Sequence, residues 1–98
     1  MRVTILQAGS DSTTMKVEGK IAGPAVSALQ QAWQDLTPSL GERKLLVDLR
    51  GVTYVDGTGR ELLATIHSET GAEFQADTPL TKYFAEVALQ ATRTRSDE

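Results

Sequence analysis

The chain has 98 residues, 40% apolar and 23% charged, a composition that indicates one soluble globular domain over residues 1–98 with a modest core. Its formal net charge of −3 argues against a nucleic-acid surface, and the absence of cysteine excludes a disulfide scaffold and a thiolate metal site. No stretch approaches the roughly 18 continuous apolar residues of a membrane span and no signal peptide is recognisable, so we expect a cytoplasmic protein without membrane insertion.

A hairpin and a helix are predicted for the first forty residues. Residues 3–6 and 14–18 are short strand candidates separated by the turn formers at residues 9–12. Gly23-Pro24 is typical of a helix start, because proline in the first turn loses no hydrogen bond. The helix is expected to end near Pro38. Its apolar stripe consists of Val26, Leu29, Trp33 and Leu36.

Strands and helices alternate along the rest of the chain. Residues 45–49 are an apolar run typical of a strand buried on both faces. An amphipathic helix is predicted after Gly59, and Gly71 is well placed to end it. Residues 72–76 predict a weaker fourth strand. The apolar positions of the second helix are Leu62, Leu63 and Ile66.

A third helix is expected to begin at Thr78-Pro79, with an inner face made of Leu80, Phe84 and Val87. The predicted order is therefore β-β-α-β-α-β-α. It indicates an α/β fold with a mixed sheet of about four strands and about three helices on one face. Residues 3–90 would be ordered, and residues 91–98, with Arg93 and Arg95, would form a polar tail.

The step from the third strand into the second helix, at residues 56–59, is the most informative part of the chain. A helix start presents free N–H groups and a positive dipole end, so Gly57, Thr58 and Gly59 could hold a nucleotide or another anion. No P-loop lysine accompanies them. The alternative is a tight turn whose glycines relieve backbone strain and whose Asp56 or Thr58 caps the helix.

Catalytic chemistry has little support. The tripeptide Asp56-Gly57-Thr58 is similar to part of the aspartyl phosphatase loop Asp-x-Asp-Gly-Thr, but the position of the nucleophilic carboxylate holds Tyr54. His67 is the only histidine and is expected at a surface or boundary position, and no Gly-x-Ser-x-Gly elbow is present. We therefore expect no enzyme activity, no metal site and no cofactor.

Residues 47–59 resemble the signature of STAS domains, the family of bacterial anti-sigma-factor antagonists, in which an Asp-Leu strand leads to Asp-Ser-Ser/Thr-Gly. The likeness extends over about residues 3–90. Gly19 at the close of the second strand, the first helix, Gly71-Ala72-Glu73-Phe74 and Thr78-Pro79-Leu80 all fall on corresponding elements. The resemblance implies a STAS-like fold with a shortened C-terminus, because the family usually adds a further short strand and helix.

The resemblance also implies a non-enzymatic module that binds proteins through this turn and the second helix. Phosphorylation of the serine after the Asp sets affinity in the family, but that position is Gly57 here. Thr58 is the nearest hydroxyl and the candidate phospho-acceptor, although we favour a turn without a phosphate switch. Arg60-Glu61 replace a common Leu-Gly and predict a more polar contact surface. The expected partner-binding residues are Asp56, Gly57, Thr58, Gly59, Arg60 and Glu61.

Three functional hypotheses follow. The first is a transcription-regulating signalling module that binds an anti-sigma factor kinase or a multi-domain regulator. The second is an accessory subunit that docks on the ATPase of a lipid-transporting ABC system, as some lone STAS domains do. The third is nucleotide or anion binding at residues 57–59. The first two predict a protein-sized footprint on the second helix, whereas the third predicts a compact ligand held by backbone amides.

Overall fold

The computed structural model describes residues 1–7, 11–41 and 43–96, with side chains described as far as residue 89. Its elements follow the predicted order β-β-α-β-α-β-α, which confirms the α/β fold. Residues 9 and 10 of the predicted turn at residues 9–12 lie outside the described residues. The elements are β1 (Arg2–Gln7), β2 (Ser12–Ile21), α1 (Pro24–Leu40), β3 (Lys44–Val55), α2 (Gly57–Thr70), β4 (Glu73–Gln75) and α3 (Pro79–Ser96).

The four strands form one mixed sheet in the order β1-β2-β3-β4. β1 is antiparallel to β2, whereas β2, β3 and β4 are parallel. The β2–β3 register runs from Ser12 opposite Lys44 to Ile21 opposite Val55. Since the two strands end side by side, α1 and α2 both begin at the same edge of the sheet. This edge is where residues 56–59 lie.

One face of the sheet carries the core. Burial alternates along β2, where Thr13, Met15 and Val17 are buried and the residues between them are half-buried. Such alternation is typical of a sheet with one covered face. The helices contribute most of the predicted apolar positions to the same cluster. These are Val26, Leu29 and Trp33 from α1 and Leu62, Leu63 and Ile66 from α2.

The other face of β3 is less apolar than its sequence suggests. Leu46 is half-buried there, and Asp48 is buried. Asp48 accepts hydrogen bonds from the backbone N–H and Nε of Arg50 at 3.0 Å and from its Nη2 at 2.9 Å. The bonds from Arg50 hold the pKa of Asp48 below its usual value. The strand was expected to be buried against apolar residues on both faces. On this face an ion pair is present instead.

One predicted boundary is wrong, and a second, the end of α1 near Pro38, lies within two residues of the observed end. Gly19 does not close the second strand, because β2 continues to Ile21. Gly19 instead lies at a register shift between the strands, with a φ of 92° that favours glycine. α1 passes through Pro38 and ends at Leu40. Gly71 ends α2 as predicted, with a φ of 69° and its N–H donating to the carbonyl of His67.

The predicted inner face of α3 is partly wrong. Leu80 is 48% exposed and Val87 is half-buried, whereas the buried positions are Thr81, Phe84 and Ala88. These three share one face at helical spacing, and the Thr81 hydroxyl accepts the N–H groups of residues 77 and 78 before the helix. α3 continues to Ser96 where a tail was expected, and the side chains of Arg93 and Arg95 lie outside the described ones. No helix among the described residues is long and apolar enough to cross a membrane.

Candidate functional site

The carboxylate of Asp56 organises the turn between β3 and α2. Its Oδ1 accepts the N–H of Gly59 at 2.7 Å and its Oδ2 accepts the N–H of Gly23 at 3.0 Å. The Asp56 N–H donates to the carbonyl of Ile21 at 3.0 Å. Asp56, rather than Thr58, is thus the N-cap of α2. One side chain joins the beginnings of α1 and α2.

The electrostatics of the turn are set by the same carboxylate. The pKa of Asp56 lies below its usual value, first because of the hydrogen bond from Gly59, then that from Gly23, with a smaller contribution from the charge of Arg60. Asp56 is therefore ionised at neutral pH. It already occupies the N–H of Gly59, which an anion at residues 57–59 would need, and its charge repels that anion. This geometry argues against anion binding at residues 57–59.

The two glycines of the turn differ in what surrounds them. A Cβ on Gly59 would lie 2.7 Å from the carbonyl oxygen of Ile21 and 2.9 Å from Cγ1 of Val55. α2 can therefore approach the ends of β2 and β3 only because residue 59 has no side chain. A Cβ on Gly57 would meet only Nη2 of Arg60, at an ordinary 3.6 Å. A Cβ would therefore fit at residue 57, so packing does not require glycine there.

The six expected partner-binding residues lie together at the start of α2, but they are not equally accessible. Gly57, Thr58 and Glu61 are exposed. Asp56 and Arg60 are half-buried, and Gly59 is buried. A partner at this surface would contact the first three fully and the next two in part, whereas Gly59 can only shape the backbone beneath them.

Gly23 contacts this turn, and the sequence did not predict that contact. Gly23 precedes Pro24 and provides no capping side chain for α1. Its N–H instead bonds to a carboxylate 33 positions later in the chain. The only available signal was a helix start without a capping side chain, which suggests that a distant residue supplies the missing partner.

His67 lies at a half-buried boundary position, as predicted. Its Nδ1 is 2.6 Å from the carbonyl oxygen of Ala72, and its ring centroid is 5.9 Å from that of Phe74. A carbonyl can only accept, so Nδ1 carries the hydrogen. The His67 side chain thus bonds to a carbonyl just beyond the C-terminal end of α2. Among the described residues, no group of three or more His, Cys, Asp or Glu side chains is placed to hold a metal ion.

Solved structures share this fold. The crystal structure of an anti-sigma factor antagonist from Mycobacterium paratuberculosis superposes with a TM-score of 0.67 and 24% sequence identity, over 94% of this chain and 95% of that chain. At this identity the likeness establishes the fold, including the mixed sheet and its three helices. No protein-family model and no curated protein matches the chain.

Two further similar structures belong to much longer chains. The crystal structure of Mglu matches with a TM-score of 0.60 and 24% identity, over 78% of this chain. Mglu in its native form matches with a TM-score of 0.57 and 21% identity, over 76% of this chain. The chain spans 19% and 22% of those two chains. The fold therefore also occurs as a segment of a larger protein.

Proposed function

We propose that this chain is a non-enzymatic regulatory module of the STAS type that binds a protein through residues 56–61, here called the docking turn. The observation that carries the proposal is the double hydrogen bond of Asp56, which fixes the start of α2 against the start of α1. A surface held in one conformation loses little entropy on binding, and this favours recognition by shape.

The exposed part of the docking turn suits a polar contact. Thr58 and Glu61 are exposed, and Arg60 is half-buried beside the ionised Asp56. The fold likeness to an anti-sigma factor antagonist and the STAS-like sequence of residues 47–59 support a partner of the anti-sigma class, either a kinase or a multi-domain regulator. A charged partner surface would complement Arg60 and Glu61 and set specificity.

The docking turn is proposed to work without a phosphate switch at residue 57. Gly57 has no hydroxyl, although a Cβ would meet only an ordinary contact there. Thr58, one residue further along α2, is exposed and remains the candidate acceptor if this turn is modified at all. A phosphate at Thr58 would add about −1.5 to −2 charges close to the Asp56 carboxylate, which repels it.

The test uses the whole chain as bait in lysate of its native cell, with captured proteins identified by mass spectrometry. The Glu61→Lys variant reverses a charge in the docking turn, and Glu86→Lys makes the same change on the exposed side of α3. We expect wild type and Glu86→Lys to capture the same anti-sigma factor or regulator, and Glu61→Lys to capture at least about fivefold less.

Other outcomes would contradict the proposal in distinguishable ways. Capture of a transport ATPase would support the ABC-accessory hypothesis, and capture of no protein would favour a small anionic ligand. Equal capture by both variants would place the contact elsewhere. The same bait, incubated with lysate and ATP, is also weighed intact. A gain of one phosphate that Thr58→Ala abolishes would show that the docking turn is a switch after all.

A further inference from the structure

β1 (Arg2–Gln7) is an edge strand with an open outer side. It pairs with β2, and no other strand of the described residues lies beside it. In such a strand every second residue points its N–H and C=O away from the sheet. Four of its six residues are exposed, among them two large apolar side chains, Ile5 at 43% and Leu6 at 48%. The outer side can therefore accept a further strand.

β1 lacks the features by which edge strands usually avoid pairing. It contains no proline and no lysine, and Arg2 is its only charged residue. Its pairing with β2 runs without a bulge from Arg2 opposite Glu18 to Gln7 opposite Thr13. A regular strand with exposed apolar side chains is a template for another chain.

The two exposed apolar side chains lie on opposite faces of the sheet. Ile5 is opposite Met15, a buried core residue, so it lies on the face that carries the helices. Leu6 is opposite Thr14, on the other face. The helix layer thus leaves Ile5 partly uncovered, and a covering partner must contact both faces of the edge. A strand added in the plane of the sheet does this.

We propose that β1 pairs in antiparallel orientation with β1 of a second copy of this chain and joins the two sheets into one. The pair is centred on Ile5, so that residues 3–7 of each copy face residues 7–3 of the other. Ile5 then lies opposite Ile5 of the second copy, and Leu6 lies opposite Thr4. Centring on Thr4 instead would place Leu6 opposite the charged Arg2. The twofold axis between the two strands is perpendicular to the sheet, so both helix layers lie on the same face.

The charges of the edge favour a second copy in this orientation. The antiparallel pair places the two Arg2 side chains at opposite ends, whereas a parallel pair would place these like charges side by side. Asp11, which is exposed and precedes β2, lies beyond the Gln7 end of β1. Each Arg2 therefore approaches the end that carries Asp11 of the other copy. Symmetry makes this match occur twice, and a strand from an unrelated protein has no such built-in match.

The first test measures the mass of the full chain by sedimentation equilibrium between about 1 and 500 µM. A pairing through one short strand is smaller than a standard interface, so we expect a reversible dimer with a Kd of about 10 to 100 µM. Leu6→Lys and Leu80→Lys are matched variants, because both leucines are 48% exposed and Leu80 lies on α3. We expect Leu6→Lys to raise the Kd at least about tenfold and Leu80→Lys to leave it unaltered.

The second test fixes the register. The chain has no cysteine, so a single introduced thiol can cross-link only to a second copy. Directly opposite residues of antiparallel strands have Cα atoms about 4.5 to 5.5 Å apart, within reach of a disulfide. The two Leu6 residues would lie about 8 Å apart when the pair is centred on Ile5, beyond that reach. We expect mild oxidation to cross-link Ile5→Cys at least about fivefold faster than Leu6→Cys or Leu80→Cys.

Circular dichroism checks that each variant is folded before its mass is measured. A wild-type chain that stays monomeric over the whole concentration range would overturn the proposal, as would equal weakening by Leu6→Lys and Leu80→Lys. Faster cross-linking of Leu6→Cys than of Ile5→Cys would overturn the register centred on Ile5. A monomer that binds an extended peptide along β1 would also overturn the proposal, and would show that the edge serves another protein.

Discussion

The helix pair α1 and α2 differs in structure between its two ends. At the docking turn, one carboxylate bonds to the N–H groups of Gly23 and Gly59, and no side chain separates α2 from the strand ends. At the other end the helices leave a groove of about 300 Å³, lined by Trp33, Gln34, Thr37, Pro38 and Glu69. The indole N–H of Trp33 has no partner among the described residues. The two helices are thus held together where they begin, here called the closed end, and separated by a groove near where they finish, here called the open end.

This difference separates two kinds of surface in one small fold. The closed end is fixed by hydrogen bonds and close packing. The open end leaves one buried donor, the indole N–H of Trp33, without a partner among the described residues. The parallel strands account for the arrangement, since they place both helix starts on one edge of the sheet and so leave both helix ends towards the other.

The largest expected effect comes from filling the closed end. Gly59→Ala would bring a Cβ within 2.7 Å of the Ile21 carbonyl, and backbone at the end of a strand cannot move away cheaply. We expect a loss of about 2 to 3 kcal/mol in the free energy of unfolding, measured by urea denaturation.

Gly57→Ser is the matched control for that experiment, because it adds a larger side chain two residues earlier in the same turn. Its Cβ has ordinary contacts, so the free energy of unfolding should stay within about 0.5 kcal/mol of wild type. Similar losses in both variants would show that the docking turn is uniformly tight or uniformly loose. In that case close packing at Gly59 would not distinguish this end of the layer.

A smaller effect is expected from Asp56→Asn. The remaining amide oxygen can still accept the N–H of Gly59, but the amide nitrogen is a donor and would face the N–H of Gly23. The variant should therefore be less stable than wild type at pH 7. Amide exchange near Gly23 should be faster, while exchange in β3 should change little.

The pH dependence of stability gives an independent check on Asp56. The pKa of its carboxyl is lowered by folding, so its stabilising contribution is present above the unfolded value of about 3.9 and is lost as the pH falls through the folded pKa. The difference in Tm between wild type and Asp56→Asn should shrink below about pH 4. Asp35→Asn on the exposed side of α1 is the control. A difference that stays constant down to pH 2 would show that the Asp56 charge contributes nothing.

Most of the fold could be predicted from the sequence. The periodic Leu62, Leu63 and Ile66, the proline at residue 24 and the glycine at residue 71 act within a few residues of where they stand, and the elements they predict are present. The predicted face of α3 is partly wrong because it omits Thr81 and Ala88, which are both buried. Burial of a threonine depends on hydrogen bonds that hydrophobic periodicity does not register.

The sequence predicted the position of the site but not the contacts that hold it together. The pattern around Asp56 identified the turn, yet the bond to Gly23 joins residues 33 positions apart, and the contrast between Gly57 and Gly59 depends on atoms of Ile21 and Val55. The groove was not anticipated at all. Trp33 fits the apolar stripe of α1 by spacing, and no sequence pattern reveals whether a buried indole N–H finds an acceptor.

The smallest expected effect concerns the open end. Trp33→Phe removes the unpaired N–H together with part of the ring, so the lost packing is offset by the lost cost of burying an unpaired donor, about 1 to 3 kcal/mol. The free energy of unfolding, followed by circular dichroism because the fluorophore is gone, should fall by less than about 1 kcal/mol. A loss above about 2 kcal/mol would mean that the indole N–H makes a strong hydrogen bond in solution, and the groove would then lack the unpaired donor that distinguishes it from the docking turn.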